Sequence, residues 1–115
     1  ELDPTRPTIA ATCLQKKMRL NDITDALGVN DYPGWYGNTS EMIRDRFLAC
    51  IGKVGRKTMC MSEYGCGGSI YQHENPVMAQ PVPNGEWHPE EYETQHHRVQ
   101  YAILKDLPQC WGIRP

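Results

Sequence analysis

The sequence predicts an α/β fold in which short parallel strands alternate with helices, amounting to about half of an eight-stranded β/α barrel. Three observations predict it. Short apolar runs recur along the 115 residues, each bounded by glycine, proline or polar clusters, as buried parallel strands require. Two stretches carry apolar residues at helical spacing, the mark of helices with one buried face. The two patterns alternate, which implies parallel pairing through right-handed crossovers.

The elements follow in chain order. Residues 6–13 read as a first strand and residues 16–21, starting at Lys16, as a polar connection. Residues 25–30 form a second strand, and Pro33 and Gly34 stop it within the aromatic-rich turn from Asp31 to Gly37. Asn38, Thr39 and Ser40 make a capping cluster, after which Met42, Ile43, Phe47, Leu48 and Ile51 recur at helical spacing, so a helix is expected over residues 41–54.

The run from Lys57 to Met61 carries the third strand, residues 59–62, between Gly55-Arg56 and Gly65-Cys66-Gly67-Gly68. Residues 65–87 are rich in glycine and proline and show no periodicity; they read as one long loop, of a length that is usually functional. A second helix opens with Pro89 in its first turn and Glu90 and Glu91 beside its positive end. Its expected inner stripe is Tyr92, His96, Val99, Ala102, Ile103 and Leu104, and residues 109–113 are a last short strand. Half a barrel leaves sheet edges and apolar helix faces open. The chain, residues 1–115, is therefore expected to be a single partial domain. Its start, Glu1-Leu2-Asp3-Pro4, has no initiator methionine and no signal-peptide organisation, and reads as cut from something longer.

Composition narrows the partners. A net charge of −2 and 39% hydrophobic residues give no sign of a nucleic-acid partner. No apolar run approaches the roughly 20 residues a membrane-spanning helix needs, so no membrane partner is expected. The five cysteines, Cys13, Cys50, Cys60, Cys66 and Cys110, are odd in number and irregularly spaced. They read as buried free thiols rather than a disulfide framework or a paired zinc site. Adjacent side chains on a helix diverge by about 100°, so His96 and His97 are not expected to share an ion. Neither a metal nor a cofactor is expected, and His73, His88, His96 and His97 are read as surface or helix-face residues.

The chemistry concentrates at two strand exits. Glu63 stands where the third strand runs into glycines, and in parallel α/β folds the carboxyl ends of strands carry the reacting groups. The glycines let the backbone turn and leave room for a ligand. Capping a turn, or pairing with an arginine, is the structural alternative for this carboxylate. The exit of the second strand offers Asn30, Tyr32, Trp35 and Tyr36, and Tyr64 follows Glu63 directly. Aromatic rings beside a carboxylate suit a sugar, whose C–H faces lie on rings while its hydroxyls take amide, carboxylate and phenol partners. Ordinary core packing is the other use for such rings.

Four segments in order carry a family resemblance: Leu2-Asp3-Pro4-Thr5-Arg6-Pro7, Gly28-Val29-Asn30-Asp31-Tyr32-Pro33-Gly34-Trp35-Tyr36, Ser62-Glu63-Tyr64-Gly65 and Trp87-His88-Pro89-Glu90-Glu91-Tyr92. The chain resembles the later part of the catalytic barrel of glycoside hydrolase family 2, from Leu2 to about Gly112. That family holds β-galactosidases, β-glucuronidases and β-mannosidases. The resemblance implies strands five to eight of a (β/α)8 TIM barrel, with Glu63 at the end of the seventh as the catalytic nucleophile. It also implies Tyr32 as the tyrosine beside the nucleophile, with Asn30 in the same motif; by their place at the two strand exits, Trp35 and Tyr64 are the other expected substrate-binding residues.

The implied activity is retaining hydrolysis of a terminal β-linked sugar, β-galactosidase-like, through a glycosyl-enzyme on Glu63, with a carbohydrate as the partner. The acid/base glutamate of the family follows an asparagine at the end of the fourth strand, ahead of Glu1. It is expected to be missing here and the isolated chain to be inactive. Two departures concern Asp31 and Cys66, which stand where the resemblance leads one to expect an aromatic or bulky neutral residue and a small one. Trp111 is not expected to floor the sugar site, because the chain passes from Ile113 to Arg114 and Pro115. Two further readings stay open: a carbohydrate-binding module in which Glu63 only accepts hydrogen bonds, and a half barrel completed by the rest of the barrel or by a second copy in a homodimer.

Overall fold

The computed structural model describes residues 3–13, 18–55 and 58–115, the side chain of Leu20 apart. Leu2 of the first motif, Lys16 of the polar connection, and Arg56 and Lys57 ahead of the third strand lie outside the described residues. The two most apolar runs make the middle of a parallel sheet. Ala26–Asn30 (β2) pairs with Met59–Glu63 (β3), with Ile9–Thr12 (β1) and Cys110–Ile113 (β4) outside them. Spatial order equals chain order, β1-β2-β3-β4, and every pairing is parallel.

The first strand begins at Ile9, not at residue 6 as the sequence predicts. The Asp3 carboxylate accepts the Thr5 backbone N–H at 2.9 Å and the Arg6 Nε–H at 2.8 Å. These local bonds fold residues 3–6 into a turn instead of a strand.

Two helices supply the crossovers, Ile43–Val54 (α1) between β2 and β3 and Glu90–Leu104 (α2) between β3 and β4. Both lie on one face of the sheet. Leu27, Val29, Met59 and Met61 alternate along the central strands and pack with Ile43, Phe47, Cys50, Val54 and Leu104 of the helices in a single core. Phe47, Ile43 and Met59 are completely buried, and each such side chain contributes roughly 1.5–3 kcal/mol relative to exposure. The opposite face is open. Ile9, Ala11, Cys60, Ser62 and Trp111 line a groove there of about 670 Å³, and Trp111 is 59% exposed.

Four expected details differ. The cluster Asn38, Thr39, Ser40 does not cap α1 with a side chain: a 3-10 turn over Ser40–Met42 comes first, and Met42 stands at the cap without a side-chain bond. Pro89 is the N-cap of α2 rather than a residue of its first turn. On α2 itself Ala102 is exposed, whereas Gln100, which hydropathy places outside, is completely buried with His96 and Leu104. Of the five free cysteines, Cys50 and Cys60 are buried, but Cys66 and Cys110 are only partly so and Cys13 is exposed.

Residues 65–87 hold no helix or strand, yet they are tied to the start of α2. Ser69 N–H donates to His88 O at 2.8 Å, Glu90 N–H to Gln72 O at 2.9 Å, and Glu74 N–H to the Glu91 carboxylate at 2.9 Å. Among the described residues no helix is long and apolar enough to cross a membrane.

Candidate active site

The site forms where β2 and β3 end side by side. Pairing runs Val29 with Met61 and then Asn30 with Glu63, so β3 carries one extra residue, Ser62, at its exit. Such a bulge breaks the alternation of a strand and re-aims its side chains. Here Ser62 and Glu63 both border the open groove. Ser62 lies over Gly28, where a Cβ would collide with its Oγ, and the freed space lets the hydroxyl donate to Asn30 Oδ1 at 2.6 Å. With its carbonyl accepting, the Asn30 amide has its remaining capacity as a donor.

Glu63 is solvent-exposed at the end of β3. The Tyr32 hydroxyl donates to Glu63 Oε2, across the gap between neighbouring strand exits. Tyr32 holds its proton up to about 12, first because it is bonded to the carboxylate and then because it is partly buried. A phenol that keeps its proton remains a hydrogen-bond donor to the carboxylate.

The turn that carries Tyr32 is tight. Trp35 N–H and Tyr36 N–H both donate to Tyr32 O, at 3.1 and 3.2 Å. Gly34 has φ +88°, and a Cβ there would stand 2.5 Å from Ser40 Oγ and 2.9 Å from His96 Cε1, so only glycine fits. Tyr36 meets Tyr32 edge-on at 5.6 Å between ring centres and Trp35 at 6.2 Å. Trp35 also lies 5.2 Å from the His88 ring. Tyr32, Trp35 and Tyr36 border a hollow of about 340 Å³ with Cys66, Glu93 and His97. Burial, and then Glu93 nearby, push the Cys66 thiol up to about 12, which leaves it no thiolate for nucleophilic chemistry at neutral pH.

Of the residues singled out in the sequence, the structure brings Glu63, Tyr32, Asn30 and Trp35 together at the two exits. Tyr64 stands apart from them: it is 7% exposed, packs in the helix-side core and meets His97 edge-on at 5.3 Å, with one edge on the hollow. Asp31, anomalous in the sequence, has a structural reason. It is buried and takes a two-pronged ion pair from Arg46 of α1, at 2.7 and 2.6 Å, the strong fork geometry of guanidinium and carboxylate. Ser62, Arg46 and Gln100 escape sequence reading. Only the fourfold spacing of Tyr92, His96 and Gln100 could have signalled the last. Among the described residues no three His, Cys, Asp or Glu side chains gather as a metal site.

No family model matches the chain. Over 110 residues, 96% of its length, it is 37% identical to a β-glucuronidase of Bacteroides fragilis, of which it covers 15%. The crystal structure of Bacteroides uniformis β-glucuronidase superposes with a TM-score of 0.77 at 25% identity, over 96% of this chain and 13% of that one. A GH2 β-galacturonidase from Eisenbergiella tayi bound to galacturonate shares the fold, with a TM-score of 0.75 at 20% identity, over 96% of this chain and 19% of that one. The relatives named by activity in these matches are glycoside hydrolases, and they share the parallel sheet of this chain. These matches are what a fragment of a glycoside hydrolase family 2 protein, of the β-galactosidase and β-glucuronidase type, would give. The chain spans about 15% of the length of the curated relative it matches.

Proposed function

We propose that the chain is the nucleophile-bearing part, strands five to eight, of the (β/α)8 barrel of a retaining β-glycosidase. One observation carries the reading: the Tyr32 hydroxyl on the Glu63 carboxylate at the shared carboxyl end of adjacent parallel strands. The sequential strand order and the placement of both helices on one face are what a sheet that closes into a barrel requires.

In this reading Glu63 attacks the anomeric carbon. A bond forms between that carbon and a Glu63 oxygen while the bond to the leaving oxygen breaks. The leaving oxygen takes its proton from a second carboxylic acid, supplied by the earlier strands and roughly 5–5.5 Å from Glu63. Water, deprotonated by that same residue, then releases the sugar. Tyr32 steadies the charged nucleophile, Asn30 donates to a sugar hydroxyl, and Trp35 and Tyr36 offer ring faces. Tyr64 supports the site from the core and meets substrate only at its edge.

The sequence leans towards a β-galactoside, but the relative at 37% identity is named a β-glucuronidase, which makes a β-glucuronide the first substrate to try. Because the proton donor is taken to come from the earlier strands, the test is a panel of dinitrophenyl β-glucuronide, β-galactoside and β-mannoside, whose leaving group needs no proton, each with the wild-type chain and Glu63→Gln. Turnover that Glu63→Gln abolishes supports the reading; turnover that survives the substitution sinks it.

A second reading rests on the open groove beside Trp111 and on β1 and β4, which bound the sheet. Either the rest of the barrel or a second copy of the chain covers that face. Light scattering separates a monomer from a dimer.

A further inference from the structure

Helix α2 turns a column of polar side chains to the back of the site. Tyr92, His96 and Gln100 follow one another four residues apart, so they stack on one face of the helix. Tyr92 and Gln100 reach the turn after β2, and His96 reaches Ser40 in the 3-10 turn that follows it. The Tyr92 hydroxyl donates to Gly34 O at 2.5 Å, Gln100 Nε2 donates to Pro33 O at 2.7 Å, and Ser40 Oγ and His96 Nδ1 share a hydrogen bond at 2.8 Å. All of these anchor points lie within eight residues of Tyr32 in the chain, and Pro33 is its immediate neighbour.

The column is costly to bury. His96 is 1% and Gln100 0% exposed, and His96 Nε2 and Gln100 Oε1 make no well-formed hydrogen bond among the described residues, although the His96 ring faces the Gln100 side chain and the Gly65 backbone. Apolar side chains of similar size would fill the space without that penalty. Packing alone therefore does not explain it, whereas the two bonds to the turn after β2 and the third to the 3-10 turn beside it do. The next face of the same helix backs the other strand exit. His97 Cε1 would stand 3.2 Å from a Cβ on Gly65, and the Glu93 carboxylate lies against Gly68. One helix thus holds both the turn that presents Tyr32 and the loop that follows Glu63.

We propose that Tyr92, His96 and Gln100 are positioning residues, which fix the turn after β2 so that the Tyr32 hydroxyl meets the Glu63 carboxylate. The inference rests on Glu63 as the nucleophile for its catalytic meaning, but its geometry is measurable without turnover.

The experiment follows the Tyr32 ring Cζ resonance in tyrosine-labelled chain at neutral pH, assigned with Tyr32→Phe, with Glu63→Gln marking the position it takes once the carboxylate is lost. Tyr92→Phe removes a single hydroxyl and Gln100→Leu a single amide, while Tyr101→Phe alters an exposed residue of the same helix. The expected result is that Tyr92→Phe and Gln100→Leu both move the resonance towards its Glu63→Gln position, with the amide spectrum of the sheet retained. Reaction of Glu63 with a 2-fluoro glycoside should slow by about 10–10²-fold, the cost of a small misplacement, and Tyr101→Phe should change neither. Should Gln100→Leu fail to fold, Tyr92→Phe decides. A folded Tyr92→Phe chain with the Tyr32 resonance unmoved overturns the inference. A moved resonance in a chain whose Glu63 never reacts keeps the coupling and removes the nucleophile reading instead.

Discussion

The two faces of one sheet behave as two different materials. On the helix side Leu27, Val29, Met59 and Met61 meet Phe47, Ile43 and Leu104 with essentially no exposure. On the other side Ile9 and Trp111 are 50% and 59% exposed around an open groove. The difference shows how a parallel sheet divides its work: the crossover helices seal one face and set the strand ends, while the other face stays open. Glu63 stands on the boundary, its strand rooted in the sealed core and its carboxylate at the rim of the open side.

The contrast is broken most severely from the sealed side. Phe47→Ala should cost about 3–5 kcal/mol, since it removes a completely buried ring and leaves a cavity. Urea unfolding measures this directly, and it is a large share of the roughly 5–15 kcal/mol typical of a domain.

Acid attacks the same face through His96. Burial, and then the neighbouring His97, lower its pKa from 6.5 to about 4. The unfolded chain therefore takes up a proton between those values while the folded chain does not. Stability is full above about pH 6.5, falls as pH drops through this window, and loses nothing more from this group below pH 4. The full swing is about 3 kcal/mol, and His96→Gln should flatten that part of the profile in urea melts at pH 7, 5.5 and 4.

The open face should answer least. Trp111→Ser removes a largely exposed ring and should change stability by less than about 0.5 kcal/mol, a result that a loss near that of Phe47→Ala would contradict.

Much of this fold was legible because its signals are local. The spacing of Met42, Ile43, Phe47 and Ile51 marks α1, and Pro89-Glu90-Glu91 marks the start of α2 within a residue. Glycine and proline bound the central strands for reasons a reader of sequence can weigh. Residue identities at the strand exits also named Glu63, Tyr32 and Asn30. What stayed hidden depends on distant partners. Gln100 reads as a surface amide until its bond to Pro33, 67 residues away, is seen. Asp31 looks misplaced until Arg46 closes on it. The bulge at Ser62 is a property of pairing register between β2 and β3, which neither strand reveals alone, and it is what brings Ser62 and Glu63 to the same rim.

The most direct test of Glu63 as the nucleophile is intact mass after incubation with dinitrophenyl 2-deoxy-2-fluoro-β-glycosides of the glucuronide and galactoside series. Dinitrophenolate leaves without a proton, so in the proposed mechanism the label depends on the nucleophile and not on a proton donor. The predicted result is a single added fluoro-sugar, mapped to Glu63 by peptide digestion, absent in Glu63→Gln and slower in Tyr32→Phe. A chain that labels at another carboxylate, or labels equally well in Glu63→Gln, would contradict the role given to Glu63.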